Sequence, residues 1–329
     1  MEMTHEEWKQ ARKGIKRRMS TSGWALLIYF AIMNVSVFVT LFVGIMVGMI
    51  GGMISGDTAA AENAVMQAAE NAWGYFIAAA IGFVILLIWK KPRFLGKEVF
   101  AKGAPMKAGD FFAILCIFLS GQMVFQLGTS LLETILNAFG YTIAPGLESM
   151  QTDPGNLSMF LYAGILAPVT EEILFRGLIQ RSMLPFGKKF AIFVSALTFG
   201  LFHGNLLQTP YAFAVGLVLG YVAAEYNILW AMVLHMINNL VLGDLIYRLM
   251  IGLPQSTADW IVWGIILAFT MAAVILMIAK RKKIAAWLRR EKTVGAYVGC
   301  YFSCAGTIVL LLVLGANLLL STWLMITPL

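Results

Sequence analysis

The stretch 168-PVTEEILFRG-177 places two adjacent glutamates and an arginine inside a run that is otherwise apolar from about Leu157 to Leu184. A charged side chain at the middle of a membrane helix costs about 2.5–3.5 kcal/mol on insertion scales. Three together are therefore unlikely to be incidental. Glu172 and Arg176 are four residues apart with the acid N-terminal, the favourable order for a helical ion pair. Glu171 has Leu174 and Phe175 at the same offsets, so it needs partners from other helices or from water.

Composition makes the membrane setting general. The chain has 329 residues, 60% hydrophobic and 12% charged, with a mean hydropathy of +0.81. Ordinary domains carry about 25% charged residues. The fold class implied is an all-α polytopic membrane protein. A crossing helix needs about 20 mostly apolar residues, and about nine runs qualify, near 24–52, 72–89, 110–136, 157–183, 189–204, 209–225, 228–247, 259–279 and 297–325. The fifth and sixth are short. Intramembrane Glu, Arg, His and Asn concentrate in the fourth to seventh, which are expected to form a catalytic bundle. The chain accordingly divides into a basic tail (1–23), N-terminal spans (24–156), a core (157–250) and C-terminal spans with a basic connection (251–329).

The net charge of +7 does not point to nucleic acid, because the basic residues are grouped as topology signals. With nine spans, 23 of the 24 Lys and Arg fall on one side, leaving Arg248 opposite. The excess of Lys and Arg in cytoplasmic loops then places the N-terminus in the cytoplasm. The first apolar run follows a charged tail and has no clear small-residue cleavage site, so it reads as a retained signal anchor. The segment 280-KRKKIAAWLRREK-292 mixes positive charge with Ile284, Trp287 and Leu288, fitting an anionic lipid surface. Cys116, Cys300 and Cys304 lie within spans and form no metal or disulfide framework, so packing is their expected role. Gly44, Gly48 and Gly52, and again Gly216 and Gly220, recur every four residues and predict close helix approach. The loop 140-GYTIAPGLESMQTDPGN-156 reads as a cap or a plain connection.

Pro168 has no N–H to bond back to Gly164, so the helix is expected to open just before the glutamates. Backbone opened at that depth is tolerated only against protein or a wet cavity. The chain has three histidines. His5 belongs to the tail, whereas His203 in 199-FGLFHGN-205 and His235 in 235-HMINN-239 lie in apolar spans. Phe199 is one turn before His203, and Asn239 one turn after His235. Glu171, His203, His235 and Asn239 are expected to converge on one cavity. A desolvated carboxylate is a competent base for water, and imidazoles and an amide can hydrogen-bond an oxyanion and return a proton to a leaving amine. Together these are the parts of amide hydrolysis. Neither a G-x-S-x-G elbow nor an H-E-x-x-H pair is present.

The order Glu-Glu-x-x-x-Arg (171–176), Phe-x-x-x-His (199–203) and His-x-x-x-Asn (235–239) resembles the CPBP, or Abi, family of intramembrane endopeptidases, which includes CAAX prenyl-protein proteases and bacteriocin-processing or immunity proteins. The resemblance covers about 157–250. It implies Glu171 as the water-activating base, and His203, His235 and Asn239 as catalytic or oxyanion-binding groups. Glu172, Arg176, Phe199 and Asn238 are implied as support. It also implies a membrane-associated protein or peptide substrate and a multi-pass protein of a bacterial cell membrane. The family has been viewed both as metal-dependent and as metal-free. The metal-free glutamate mechanism is favoured here, with a zinc site of Glu171, His203 and His235 as the alternative. Two competing functions are a non-catalytic immunity or scaffold protein of the same fold and, with less support because no inverted repeat is evident, a proton-coupled transporter.

Overall fold

In a computed structural model the described residues are 5–90, 94, 96, 99–101, 103–148, 156–250, 252–290 and 295–329. Lys91, Arg93, Lys97, Lys102 and Lys292 of the basic groups, and 149–155 of the loop after Gly140, lie outside them. The architecture is helical throughout. Among the described residues, six helices are long and apolar enough to cross a membrane: Lys9–Ser55, Ala61–Lys90, Ala108–Ala138, Leu157–Phe186, Gln255–Ala279 and Ala305–Met325. The chain is thus an all-α, multi-pass membrane protein, as its composition predicts.

In chain order, α1 (His5–Ser55), α2 (Thr58–Glu70) and α3 (Trp73–Lys90) precede α4 (Ala108–Leu119) and α5 (Gln122–Ala138). A short α6 (Ala144–Glu148) leads to the long run α7 (Leu157–Phe186). Then come α8 (Lys188–Phe202), α9 (Gln208–Glu225) and α10 (Ile228–Ile237), which continues through wide turns over Asn238–Leu245. The chain ends with α11 (Gln255–Ala279), α12 (Arg281–Arg290), α13 (Gly295–Phe302) and α14 (Ala305–Met325).

Several expectations change in form. The basic tail is not a separate segment, because α1 is continuous for 51 residues from His5. The fifth and sixth apolar runs become helices of 15 and 18 residues. The ninth run is broken at Ser303 and Cys304 into α13 and α14. Two short strands also form: Tyr141–Thr142 pairs antiparallel with Thr327–Pro328, joining the loop after α5 to the chain's last residues.

Small residues position the helices as their spacing predicts. A Cβ at Gly44, Gly48 or Gly52 would run into Ala68, Ala64 or Ala61 of α2, so the two backbones need those glycines. Gly216 and Gly220 similarly seat α9 against Ala196 and Ile192 of α8. Cys300 and Cys304 are buried, consistent with packing. Further toward the basic end, Glu225 at the close of α9 accepts from Lys188 Nζ at 2.7 Å and from Trp287 Nε1 at 2.8 Å. The amphipathic α12 is thereby held to α8 and α9 by a directed contact. Glu225→Gln should weaken both bonds and destabilise the protein by about 1–2 kcal/mol, read as a lower unfolding midpoint in detergent. An unchanged midpoint would mean that α12 is held by its apolar contacts alone.

Candidate active site

The site begins with a proline. The backbone of α7 widens over Tyr162–Leu166, where the Ala167 N–H reaches back five residues to the Tyr162 carbonyl. Pro168 cannot supply the N–H that would continue this pattern to Ala163. The amide of Asn239 does so instead, its Nδ2 donating to the Ala163 carbonyl at 2.8 Å. The opening expected from Pro168 is therefore present as a wide turn, closed by a side chain from α10. After a short α-helical stretch, Ala167–Glu172, the wide pattern resumes over Ile173–Gln180. There the Phe175 carbonyl accepts from Ser195 Oγ of α8 at 2.9 Å.

Glu172 points into the packed interior and its side chain is wholly buried. Its Oε1 accepts from Arg176 Nη1 at 2.8 Å and lies 3.0 Å from His235 Nδ1. Arg176 Nη2 donates to the Gly216 carbonyl at 3.1 Å, and Gln180, one turn later, donates to the Gly220 carbonyl at 2.9 Å. The guanidinium carbon sits 4.4 Å from the Phe199 ring centroid, within cation–π reach. Arg176 is thus a buried structural cation, and only the other basic residues of its group can act as loop signals.

His235 stands between the two glutamates. An ionised Glu172 paired with Arg176 can only accept, so His235 Nδ1 carries the proton and Nε2 faces Glu171 Oε2 at 3.6 Å. That separation is too long for a direct hydrogen bond but leaves both atoms accessible to one shared water. Glu171 keeps 19% of its side chain exposed.

His203 is placed by a helix end. The last turn of α8 tightens, with His203 N–H bonding the Gly200 carbonyl, and Gly204 adopts a left-handed φ of 73° that stops the helix. The Phe199 carbonyl is taken by the histidine's own Nδ1 at 2.8 Å. A carbonyl only accepts, so the Nε2 of neutral His203 bears the lone pair and becomes a donor only on protonation. The Phe199 ring meets both histidines edge-on, with centroids 4.8 Å from His203 and 5.6 Å from His235.

All four principal candidates, Glu171, His203, His235 and Asn239, line one cavity of about 380 Å³, together with Phe199 and Asn238. Glu172 and Arg176 lie behind that wall. Sequence reasoning missed the opposite side. Tyr211 Oη donates to Asn238 Oδ1 at 2.7 Å, Gln122 Nε2 donates to Tyr211 Oη at 2.8 Å, and Asn238 Nδ2 donates to Asn239 Oδ1 at 3.0 Å. This relay ends at the Ala163 carbonyl, so α5 and α9 also fix the opened turn of α7. Gln122 lies outside the expected core, and only its polarity in an apolar run signals it.

Among the described residues no group of three His, Cys, Asp or Glu is arranged to hold a metal ion, while the bond at each histidine's Nδ1 leaves its Nε2 available, as in a ligating imidazole.

Residues 153–241 match the family described as Type II CAAX prenyl endopeptidase Rce1-like. The match agrees with the CPBP resemblance of the three sequence motifs. It spans α7, α8, α9 and α10 as far as Val241, the helices that carry the principal candidates, and leaves the flanking helices unmatched. No curated protein and no solved structure matches the chain.

Within the Rce1-like segment, the two glutamates should respond differently to mutation. Glu172→Gln and Arg176→Met each leave a buried charge without its partner, and are expected to cost about 3–5 kcal/mol. Glu171→Gln should cost less than about 1 kcal/mol, because its site is partly open to water. Unfolding midpoints and membrane accumulation of the three variants check this; equal losses in all three would show that Glu171 is also structural.

Proposed function

We propose that the protein is an intramembrane endopeptidase of the CAAX type, with Glu171 as the base that activates water. The observation that carries this reading is the unequal engagement of the adjacent glutamates: Glu172 is sealed against Arg176 and His235, whereas Glu171 faces the cavity beside His235 Nε2. A water touching both groups gives one proton to Glu171 as its oxygen bonds to the scissile carbonyl carbon. The lone pair of His235 Nε2 holds the water's other proton and aims the attack. The carbonyl oxygen becomes an oxyanion, received by the amide proton of Asn239 not used on Ala163 and by His203 when protonated. The proton held on Glu171 then passes to the leaving nitrogen as the C–N bond breaks. No metal takes part in this scheme.

The substrate in this reading is a membrane-associated protein or peptide admitted to the cavity. The N-terminus is cytoplasmic, and basic α12 faces anionic lipid on that side, following the grouping of Lys and Arg. Loss of a general base of this kind lowers rates about 10²–10⁴-fold. Comparison of membrane proteomes from cells carrying the wild-type protein or Glu171→Gln should show new protein termini only with the former. Full restoration of a deletion phenotype by Glu171→Gln would instead favour a non-catalytic partner role.

Metal content separates the two chemistries. Purified active protein should hold far less than one zinc per chain, and cleavage should survive a chelator. Stoichiometric zinc, with activity lost on chelation and regained on adding metal, would remove Glu171 from the role of free base.

A further inference from the structure

Away from the reaction cavity, two further cavities meet between α1, α3 and α7. The first, of about 350 Å³, is cationic: Arg17 and Arg18 of α1, Lys90 of α3 and Arg181 of α7 line it, with the hydroxyls of Thr21, Ser22 and Ser182. The second, of about 300 Å³, is apolar, lined by Trp24, Ile28, Ile85, Leu86 and Leu174 among others. Thr21, Trp89 and Leu178 belong to both, so the two adjoin. Among the described residues, no carboxylate lines either one.

We infer that this composite site binds one anionic phospholipid, with its phosphate on the arginine and lysine cluster and an acyl chain in the groove between α1 and α3. The charge pattern selects the head. Four cations in one recess are complementary to phosphate, and guanidinium groups bind its oxygens in a planar, two-pronged geometry. The adjoining groove selects an amphiphile over a free anion. Trp24, Ile28 and Ile85 are 42%, 52% and 41% exposed, so the groove opens sideways, where a chain can enter from the bilayer. Position along the helices agrees with this, since the cations lie at the ends of apolar runs, where the headgroup layer meets hydrocarbon. A Ser22–Ser182 hydroxyl contact of 2.8 Å ties α1 to α7 at the polar recess. A lipid there joins three helices, one of which carries Glu171.

The test uses the full-length protein in detergent and reads thermal unfolding, so it does not depend on proteolysis. Phosphatidylglycerol, phosphatidylcholine with the same chains, and inorganic phosphate are titrated separately. Wild-type protein is expected to be stabilised by phosphatidylglycerol alone. The double variant Arg17→Gln with Arg18→Gln should need roughly 30-fold more of it, from the contribution of two basic residues at an anionic lipid surface. Lys9→Gln with Lys107→Gln removes the same charge from exposed positions that line neither cavity and should leave the titration unchanged. Ile85→Trp narrows the groove while keeping every cation, and should abolish the shift. It decides the matter if the arginine variant fails to fold. Equal stabilisation by phosphatidylcholine, a full shift with inorganic phosphate, an unaltered titration in the arginine or Ile85 variants, or an equal loss in the Lys9 and Lys107 variant would each overturn the assignment.

Discussion

One buried carboxylate oxygen holds the centre of this protein together. Glu172 Oε1 faces both Arg176 and His235, and Arg176 carries the connection onward to the Gly216 carbonyl and the Phe199 ring. Four helices, α7 to α10, are registered through these contacts. An unpaired charge in such a place would cost several kcal/mol, and mutual attraction repays that only when geometry is good and the remaining polar atoms are satisfied. The pair at Glu172 and Arg176 is best understood as fixing geometry. Exchange of a buried ion pair for well-packed apolar groups is often neutral for stability, but here it would release His235 from its orientation.

The second constraint is backbone polarity in an apolar setting. Wide helical turns and helix ends leave carbonyls without a helical partner, and within hydrocarbon every such group must find another. Asn239 supplies one to Ala163, Ser195 one to Phe175, and the His203 ring one to Phe199. These side chains are therefore structural before they are anything else. A residue that satisfies an opened backbone is held without rotameric freedom, which leaves its remaining polar atoms aimed in a fixed direction. Such fixed aim is what stabilisation of a developing charge requires.

Much of this was legible in the sequence, and the legible part has a common character. Glu172 with Arg176, Phe199 with His203, and the opening at Pro168 are all local, set by helix spacing and the chemistry of one residue. What escaped reading is set between helices. Tyr211 and Gln122 are polar residues in apolar runs, and nothing in their neighbours says that both reach Asn238. The link from His235 to Glu172 crosses 63 positions. Continuity of α1 through its basic tail was hidden because hydropathy marks where a membrane begins, and a helix has no reason to stop there.

The two adjacent glutamates show how one helix places the same side chain in two environments. Successive residues are turned by about 100° around a helix axis, so Glu171 and Glu172 cannot share an environment. One is directed at the seam between α7 and its neighbours, where Arg176 and His235 occupy Oε1. The other is directed at the cavity and approaches the far nitrogen of the same His235 at 3.6 Å. Glu172 is engaged by an arginine and a histidine, whereas Glu171 lacks a counter-charge on its own helix and meets the far side of the same histidine. Adjacent placement of the acids thus turns a single rigid element into a frame and, in the mechanism proposed above, a reactive group that cannot drift apart.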